Sequence, residues 1–172
     1  MKKIMKKVLL AGATVFLAAY TLQAQNYMIV NTEKIFKSIP AYVQALETLD
    51  QQAENYQKNI DDAYAQIEAL YQDYQSKKSM LPEASRAVRE DEIIQREREV
   101  IKYEETVFGQ EGELFKKRLE LIKPIQDKVF AAIDKYAEDN NFGLVLDIAS
   151  NPSILYYTPS LDKTEEIIEL TK

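Results

Sequence analysis

The fold of this chain is decided by residues 39–74, which read IPAYVQALETLDQQAENYQKNIDDAYAQIEALYQDY. Apolar side chains recur there at alternating steps of three and four residues, the spacing that keeps one narrow stripe of an α-helix against a partner helix. This stripe, called the seam below, consists of Ile39, Tyr42, Leu46, Leu49, Ala53, Tyr56, Ile60, Ala63, Ile67, Leu70 and Tyr74. Polar and charged residues dominate between them, so the rest of the helix surface faces water. The pattern predicts a coiled-coil arm.

A tight turn is predicted near residues 78–84, because polar residues follow the end of the seam and proline, here Pro82, is favoured in a first helical turn. The chain then returns with a seven-residue apolar repeat, which predicts a second long helix beside the first. This late stripe consists of Ala87, Ile94, Ile101, Phe108, Phe115, Ile122, Val129 and Tyr136. With a rise of about 1.5 Å per residue, the two helices form a hairpin on the order of 65 Å long.

A second apolar stripe stands one residue before the late one. This early stripe consists of Ile93, Val100, Val107, Leu114 and Leu121. Neighbouring residues lie about 100° apart on a helix, so one narrow seam cannot take both stripes. We expect the late stripe to close the hairpin. The residues then expected to be exposed for partner contact are Ile93, Val100, Val107 and Leu114, together with Tyr64 and Tyr71. A wider interface covering both stripes is the alternative.

Three residues are predicted to bend the returning helix. Gly109 and Gly112 stand in its middle, where glycine disfavours a helix, and Pro124 removes a backbone donor. The first helix is predicted to start near Glu33, capped by Asn31 or Thr32.

The two ends of the chain predict three short strands, at residues 27–31, 142–148 and 154–158, before a final helix capped by Asp162. So small a sheet is marginal until its open edges are covered. We therefore expect a homo-oligomer whose copies complete a sheet or barrel. The residues assigned to this body are Ile29, Leu144, Leu146, Ile154 and Tyr156.

Together these patterns predict an α+β fold, with a long antiparallel helical hairpin on a small β body. Residues 39–117 are assigned to the hairpin, and residues 25–38 with 118–172 to the body. Residues 1–24 are assigned to a cleaved signal peptide, since four lysines precede an apolar run and Ala24 ends the segment. An uncleaved anchor is the alternative, although the apolar run is short for a membrane span.

Charge and composition exclude several classes of function. Without residues 1–24 the chain has 18 basic and 28 acidic residues, a net charge of about −10. This acidity argues against a nucleic-acid partner and weakens attraction to anionic lipid. The chain has no Cys, His or Trp, which excludes disulfides, thiolate or imidazole metal sites and His-based catalysis. Neighbouring carboxylates such as Asp61 and Asp62 indicate a solvated helix face, so neither an enzyme nor a cofactor is predicted.

The order of signal peptide, opening strand, helical hairpin and closing strands resembles the Skp (OmpH-like) family of periplasmic chaperones. The resemblance is carried by residues 27–31 and 33–36, and by the closing segments 141–147 (NFGLVLD), 154–157 (ILYY) and 161–164 (LDKT). It implies a homotrimer with a β-barrel body and three helical arms. It also implies a central cavity that holds unfolded outer-membrane proteins in the periplasm, without catalysis or ATP. The best-known members are basic and carry a proposed lipopolysaccharide-binding patch; this acidic chain does not match that patch, and we do not assign it.

The seam itself favours a flexible holdase, because Ala53, Ala63 and several tyrosines replace the Leu and Ile of tight coiled coils. Each large buried side chain contributes about 1.5–3 kcal/mol, against an ordering cost of about 1.5 kcal/mol per residue. The alternative is a structural or adaptor coiled coil of the cell envelope. An aggregation assay separates the two, because a spacer should not protect an unfolded protein.

Overall fold

The computed structural model describes residues 26–172, so the predicted signal peptide lies outside the described residues. These residues form two compact units. The terminal unit comprises residues 26–38 and Val129–Lys172, and the hairpin unit comprises Ile39–Lys128. The sequence placed the corresponding boundaries at residues 38/39 and 117/118. The predicted α+β class with a long helical hairpin is confirmed.

The hairpin unit is built on helices α2 (Pro40–Lys77) and α3 (Glu83–Phe108), joined by the predicted turn. The helices are antiparallel, because their hydrogen-bonded partners follow in reverse order, Tyr74 with Glu90 and Asn59 with Tyr103. The hydrophobic cluster between them consists of Ile60, Ile67, Tyr74, Ile93, Val100 and Val107. The seam of α2 therefore faces its partner helix as predicted. The exception is Leu46, which is exposed while its neighbour Ala45 is buried.

The prediction of one continuous helix from near Glu33 through the seam is wrong at residues 38–40. A short helix, α1 (Thr32–Lys37), ends at Ser38, and α2 begins at Pro40. Proline lacks an N–H and disfavours helical geometry in the residue before it. Ile39 accordingly has extended backbone angles of φ −92° and ψ 110°.

The returning segment is divided into two helices. It is interrupted between α3 and α4 (Glu113–Asp139), where Gly109 and Gly112 were predicted to bend it. A Cβ atom on Gly109 would lie 2.3 Å from the carbonyl oxygen of Glu105, so the local backbone requires glycine there. Helix α4 continues through Pro124 without a break. It ends before Asn141, which has a positive φ of 56°, a conformation that asparagine tolerates better than most residues.

The terminal unit contains two parallel strands, β1 (Tyr27–Val30) and β2 (Leu144–Asp147). Met28, Ile29 and Val30 are all buried, as expected for a strand covered on both faces. The other edge of β1 receives a hydrogen bond from the Lys163 N–H to the Ile29 carbonyl at 2.8 Å. Helix α5 (Thr164–Thr171) follows, and its Ile167 is fully buried.

The predicted third strand at residues 154–158 is wrong for the single chain. This segment has no regular secondary structure, and Leu155 and Tyr156 are 93% and 85% exposed. Strand preference depends on pairing and packing against neighbouring strands. No strand pairs with this segment within residues 26–172.

Asp147 connects the end of β2 to the start of α1. Its carboxylate accepts hydrogen bonds from the Thr32 N–H at 3.1 Å and the Thr32 hydroxyl at 2.7 Å. It also accepts from the Ala149 N–H and the Ser150 hydroxyl. Burial alone would raise the pKa of Asp147, but these hydrogen bonds to the charged form hold the pKa below its ordinary value.

Candidate functional site

The exposed apolar surface of α3 lies on the late stripe. Ile94 and Ile101 are 43% and 58% exposed. Val100 and Val107, one residue earlier, are only 7% and 0% exposed. They belong to the hydrophobic cluster with Ile67 of α2. The two stripes of α3 are therefore reversed relative to the sequence-based prediction.

The predicted exposure of Ile93, Val100 and Val107 is wrong, because these residues close the hairpin. Leu114 is half-buried and packs with Ala45, Leu49 and Ile122. Val107 is fully buried, so a contact between its side chain and a partner would require the helices to separate.

Acidic residues explain which stripe is buried. Glu90, Glu97 and Glu104 stand three residues after successive members of the late stripe, and all three are exposed. If the late stripe faced α2, these carboxylates would lie between the two helices. An unpaired buried charge is costly. The early stripe instead has Arg89, Arg96 and Tyr103 beside it. Their long or amphipathic side chains keep their polar ends in water.

Tyr64 and Tyr71 of α2 are exposed, as the sequence predicted. Each stands one residue after a seam residue, just as Ile94 and Ile101 stand one residue after buried residues of α3. In an antiparallel pair, a step of one residue turns both helices toward the same side. These four residues, Tyr64, Tyr71, Ile94 and Ile101, therefore form one surface, the outer apolar face.

The buried stripe changes between α3 and α4. In α4 the late stripe becomes buried at Ile122, and Leu121 of the early stripe is half-buried in the same cluster. Phe115, the first late-stripe residue after the break, is still exposed. The interrupted segment at residues 109–112 thus separates a helix that buries the early stripe from one that buries the late stripe. Neither sequence-based alternative included this division.

Tyr56 spans the interruption. Its hydroxyl donates a hydrogen bond to the Glu113 carboxylate at 2.7 Å, and this bond is the main cause that raises the pKa of Tyr56. Its ring makes edge contacts with Tyr103 and Phe108, with centroid distances of 6.4 and 6.0 Å. One seam residue of α2 therefore contacts both helices of the returning segment.

A polar cluster joins the two helices near the turn. The Tyr74 hydroxyl donates to the Glu90 carboxylate, which raises the pKa of Tyr74 and lowers that of Glu90. The Lys78 ammonium lies 3.6 Å from the same carboxylate and 5.3 Å from the centroid of the Tyr74 ring. Met80 and Val88 nearby are strongly exposed.

The residues assigned to the oligomerisation body are divided between core and surface. Ile29 is buried, Leu146 and Ile154 are half-buried, and Leu144 and Tyr156 are exposed. Strand β2 pairs on one edge with β1 and has no strand on its other edge within residues 26–172. The exposed apolar side chains therefore lie in a unit that also has an open sheet edge.

Within the described residues, no group of carboxylates is placed to hold a metal ion. No helix among them is long and apolar enough to cross a membrane.

A family model for the outer membrane protein (OmpH-like) family matches residues 26–170. The chain belongs to the OmpH-like family. The members of this family are periplasmic chaperones of outer membrane proteins and are not known as enzymes. The match covers both units of this OmpH-like protein and confirms the resemblance found in its strands and closing segments. A search of curated proteins finds no match.

Proposed function

We propose that this protein is an ATP-independent holdase that binds unfolded outer-membrane proteins in the periplasm, after export by a cleaved signal peptide. The observation that carries the proposal is the outer apolar face, where Tyr64, Tyr71, Ile94 and Ile101 are exposed on a thin helical hairpin. Exposed apolar rows on a protein surface usually mark interaction sites. Tyrosine also contacts varied partners at a modest entropic cost.

The proposed active form is a homotrimer in which the helical arms surround a cavity for the client. The open edge of β2 and the exposed Leu144, Leu155 and Tyr156 support association between copies, because paired strands would cover both features. Sedimentation of the dilute mature protein should give the mass of three chains. A folded monomer would contradict the proposed trimer.

The electrostatics favour a client over a lipid. The net charge of the full chain is −6, and removal of four lysines with the signal peptide makes it more negative. Anionic lipopolysaccharide would be repelled by this surplus of carboxylates. The proposal therefore assigns no lipopolysaccharide site.

The test is suppression of aggregation when an unfolded outer-membrane protein is diluted from denaturant. The wild-type protein should keep the client soluble without ATP. A variant with Tyr71→Ser, Ile94→Ser and Ile101→Ser should protect it less, while Val88→Ser, at an exposed apolar residue of α3 outside this face, should protect it like wild type. Equal protection by all three proteins would exclude the outer apolar face as the client surface. No protection by the wild type would favour the structural or adaptor function instead.

A further inference from the structure

A groove of about 710 Å³ lies between α2 and α3, beside the hydrophobic cluster of the hairpin. Ala63, Leu70 and Val100 form its apolar part, and Gln66, Arg96 and Tyr103 stand at its rim. The outer apolar face does not contribute to it: none of Tyr64, Tyr71, Ile94 and Ile101 lines the groove.

The groove is open because the seam is incompletely filled on this side. Arg89 and Arg96 stand four residues before Ile93 and Val100, where a tight coiled coil would have apolar residues. Their guanidinium groups instead pair with carboxylates of their own helix, Arg89 with Glu92 at 2.8 Å and Arg96 with Glu99 at 3.4 Å.

The α2 side of the groove is also incompletely filled. The seam residue of α2 here is Ala63, whose methyl group leaves room that a Leu or Ile would fill. Leu70 consequently remains half-exposed within the groove. The space is thus a consequence of small and charged residues at seam positions.

The charges around the groove indicate a neutral occupant. Each rim arginine is paired with a glutamate, and Asp73 is paired with Lys77. Among the residues that line the groove, two arginines stand beside three carboxylates, so no surplus of positive charge attracts a phosphate or a carboxylate. An apolar floor beside a guanidinium group and a tyrosine ring is suited to an aromatic side chain, which stacks on both.

We infer that this groove binds an aromatic side chain of the client in an extended segment. The inference rests on the proposed function, because strands of outer-membrane barrels carry belts of aromatic residues near both membrane interfaces. An unfolded strand would place its aromatic residue in the groove and its alternate residues toward water. The groove thus selects for aromatic residues, which the outer apolar face does not require.

The lack of tryptophan in this protein gives a direct test. A peptide of alternating apolar and polar residues with one Trp would report binding by its own fluorescence, and the same peptide with Leu in place of Trp would serve as competitor. The Trp peptide should bind the mature protein with a blue-shifted emission, and the Leu peptide should displace it poorly. Equal competition by the Leu peptide would overturn the aromatic preference.

Two variants assign the binding to the groove. Ala63→Leu fills the space that the indole ring would occupy and should weaken binding of the Trp peptide about tenfold, a loss of about 1.4 kcal/mol. Arg96→Gln should weaken it about threefold through loss of the cation above the ring. Val43→Ser is the matched control and should not change the affinity. Should Ala63→Leu lose helix content by circular dichroism, Arg96→Gln alone decides. Unchanged binding in the folded variants would overturn the inference.

The aggregation assay separates this inference from the proposed function. Suppose that wild type and Ala63→Leu protect an unfolded outer-membrane protein equally well and bind the Trp peptide with the same affinity. This result would leave the holdase function intact and exclude the groove as the binding site for the aromatic side chain. Peptide binding that depends on Ala63 and Arg96, in a wild-type protein that protects no client, would contradict the holdase function and not the groove.

Discussion

Val100 and Ile101 are adjacent residues with opposite environments in the hairpin. Val100 is 7% exposed and packs in the cluster with Ile67, whereas Ile101 is 58% exposed on the outer apolar face. A larger apolar side chain is thus left in water while a smaller one is buried. The glutamates beside the late stripe account for this choice, and they were the sequence signal that could have identified the buried stripe.

Serine substitutions at these two positions should have unequal effects on stability. Val100→Ser should lower the free energy of unfolding by about 1–3 kcal/mol, since it removes buried apolar volume and adds a hydroxyl. Ile101→Ser should change it by less than about 0.5 kcal/mol, as usual for a surface substitution. Urea unfolding followed by circular dichroism measures both. A larger loss at Ile101 than at Val100 would reverse the assignment of the stripes.

Asp147 should make the stability of the terminal unit depend on pH. Its pKa is lowered in the folded state, so its hydrogen bonds stabilise fully above the unfolded pKa of about 3.9. This stabilisation is lost as the pH falls through the folded pKa. Asp147→Asn should therefore cost about 1–3 kcal/mol at pH 7 and less at pH 3.

The measurement is urea unfolding of wild type and Asp147→Asn at both pH values. Asp134→Asn, which changes an exposed carboxyl of α4, is the matched control and should show little difference from wild type. An effect of Asp147→Asn that is the same at pH 3 and pH 7 would exclude the proposed role of the charged carboxylate.

Among the elements, the helices of the hairpin were predictable because their apolar spacing is periodic over many turns. The break at residues 38–40 was missed although Pro40 and the residue before it carry a known signal for a helix boundary. Residues 154–158 show the opposite case. Their composition favours a strand, but a strand also needs a partner, and the single chain provides none within residues 26–172.

The interruption between α3 and α4 depends on Gly109. Gly109→Ala would place a Cβ atom 2.3 Å from the Glu105 carbonyl oxygen, a distance that requires the backbone to move. We expect a loss of about 1–3 kcal/mol in the free energy of unfolding, as for other substitutions that overfill a packed site.

The matched control for Gly109→Ala is Gly143→Ala, where the nearest atom to the new Cβ would be the Asn26 carbonyl oxygen at 3.8 Å. Thermal unfolding of the two variants gives the comparison. Equal stability of both would indicate that alanine extends α3 or α4 without strain.

At the scale of the whole molecule, the two units differ in how completely their side chains are buried. Met28, Ile29, Ile35 and Ile167 are almost fully inaccessible in the terminal unit. The hairpin is held by single rows of side chains along its two clusters. Local opening follows from few buried contacts and many exposed backbone hydrogen bonds.

Hydrogen exchange should therefore be faster in α3 than in β1 and α5. Amide protons in the part of α2 near the turn should exchange with solvent at the same rate as those of α3, because the two helices open together. Mass spectrometry of peptides after timed labelling measures this difference. Uniform protection across the described residues would contradict a hairpin that opens independently.

The change of buried stripe at residues 109–112 has a consequence for insertions and deletions. One residue inserted within α3 would rotate all helical positions on one side of it by about 100° and exchange inner and outer side chains. One residue inserted between Gly109 and Gly112 falls outside regular helix, at the segment where the buried stripe already changes from the early to the late one. The chain can therefore vary in length at this segment without turning the outer apolar face inward, whereas α3 can vary only in steps that preserve its heptads.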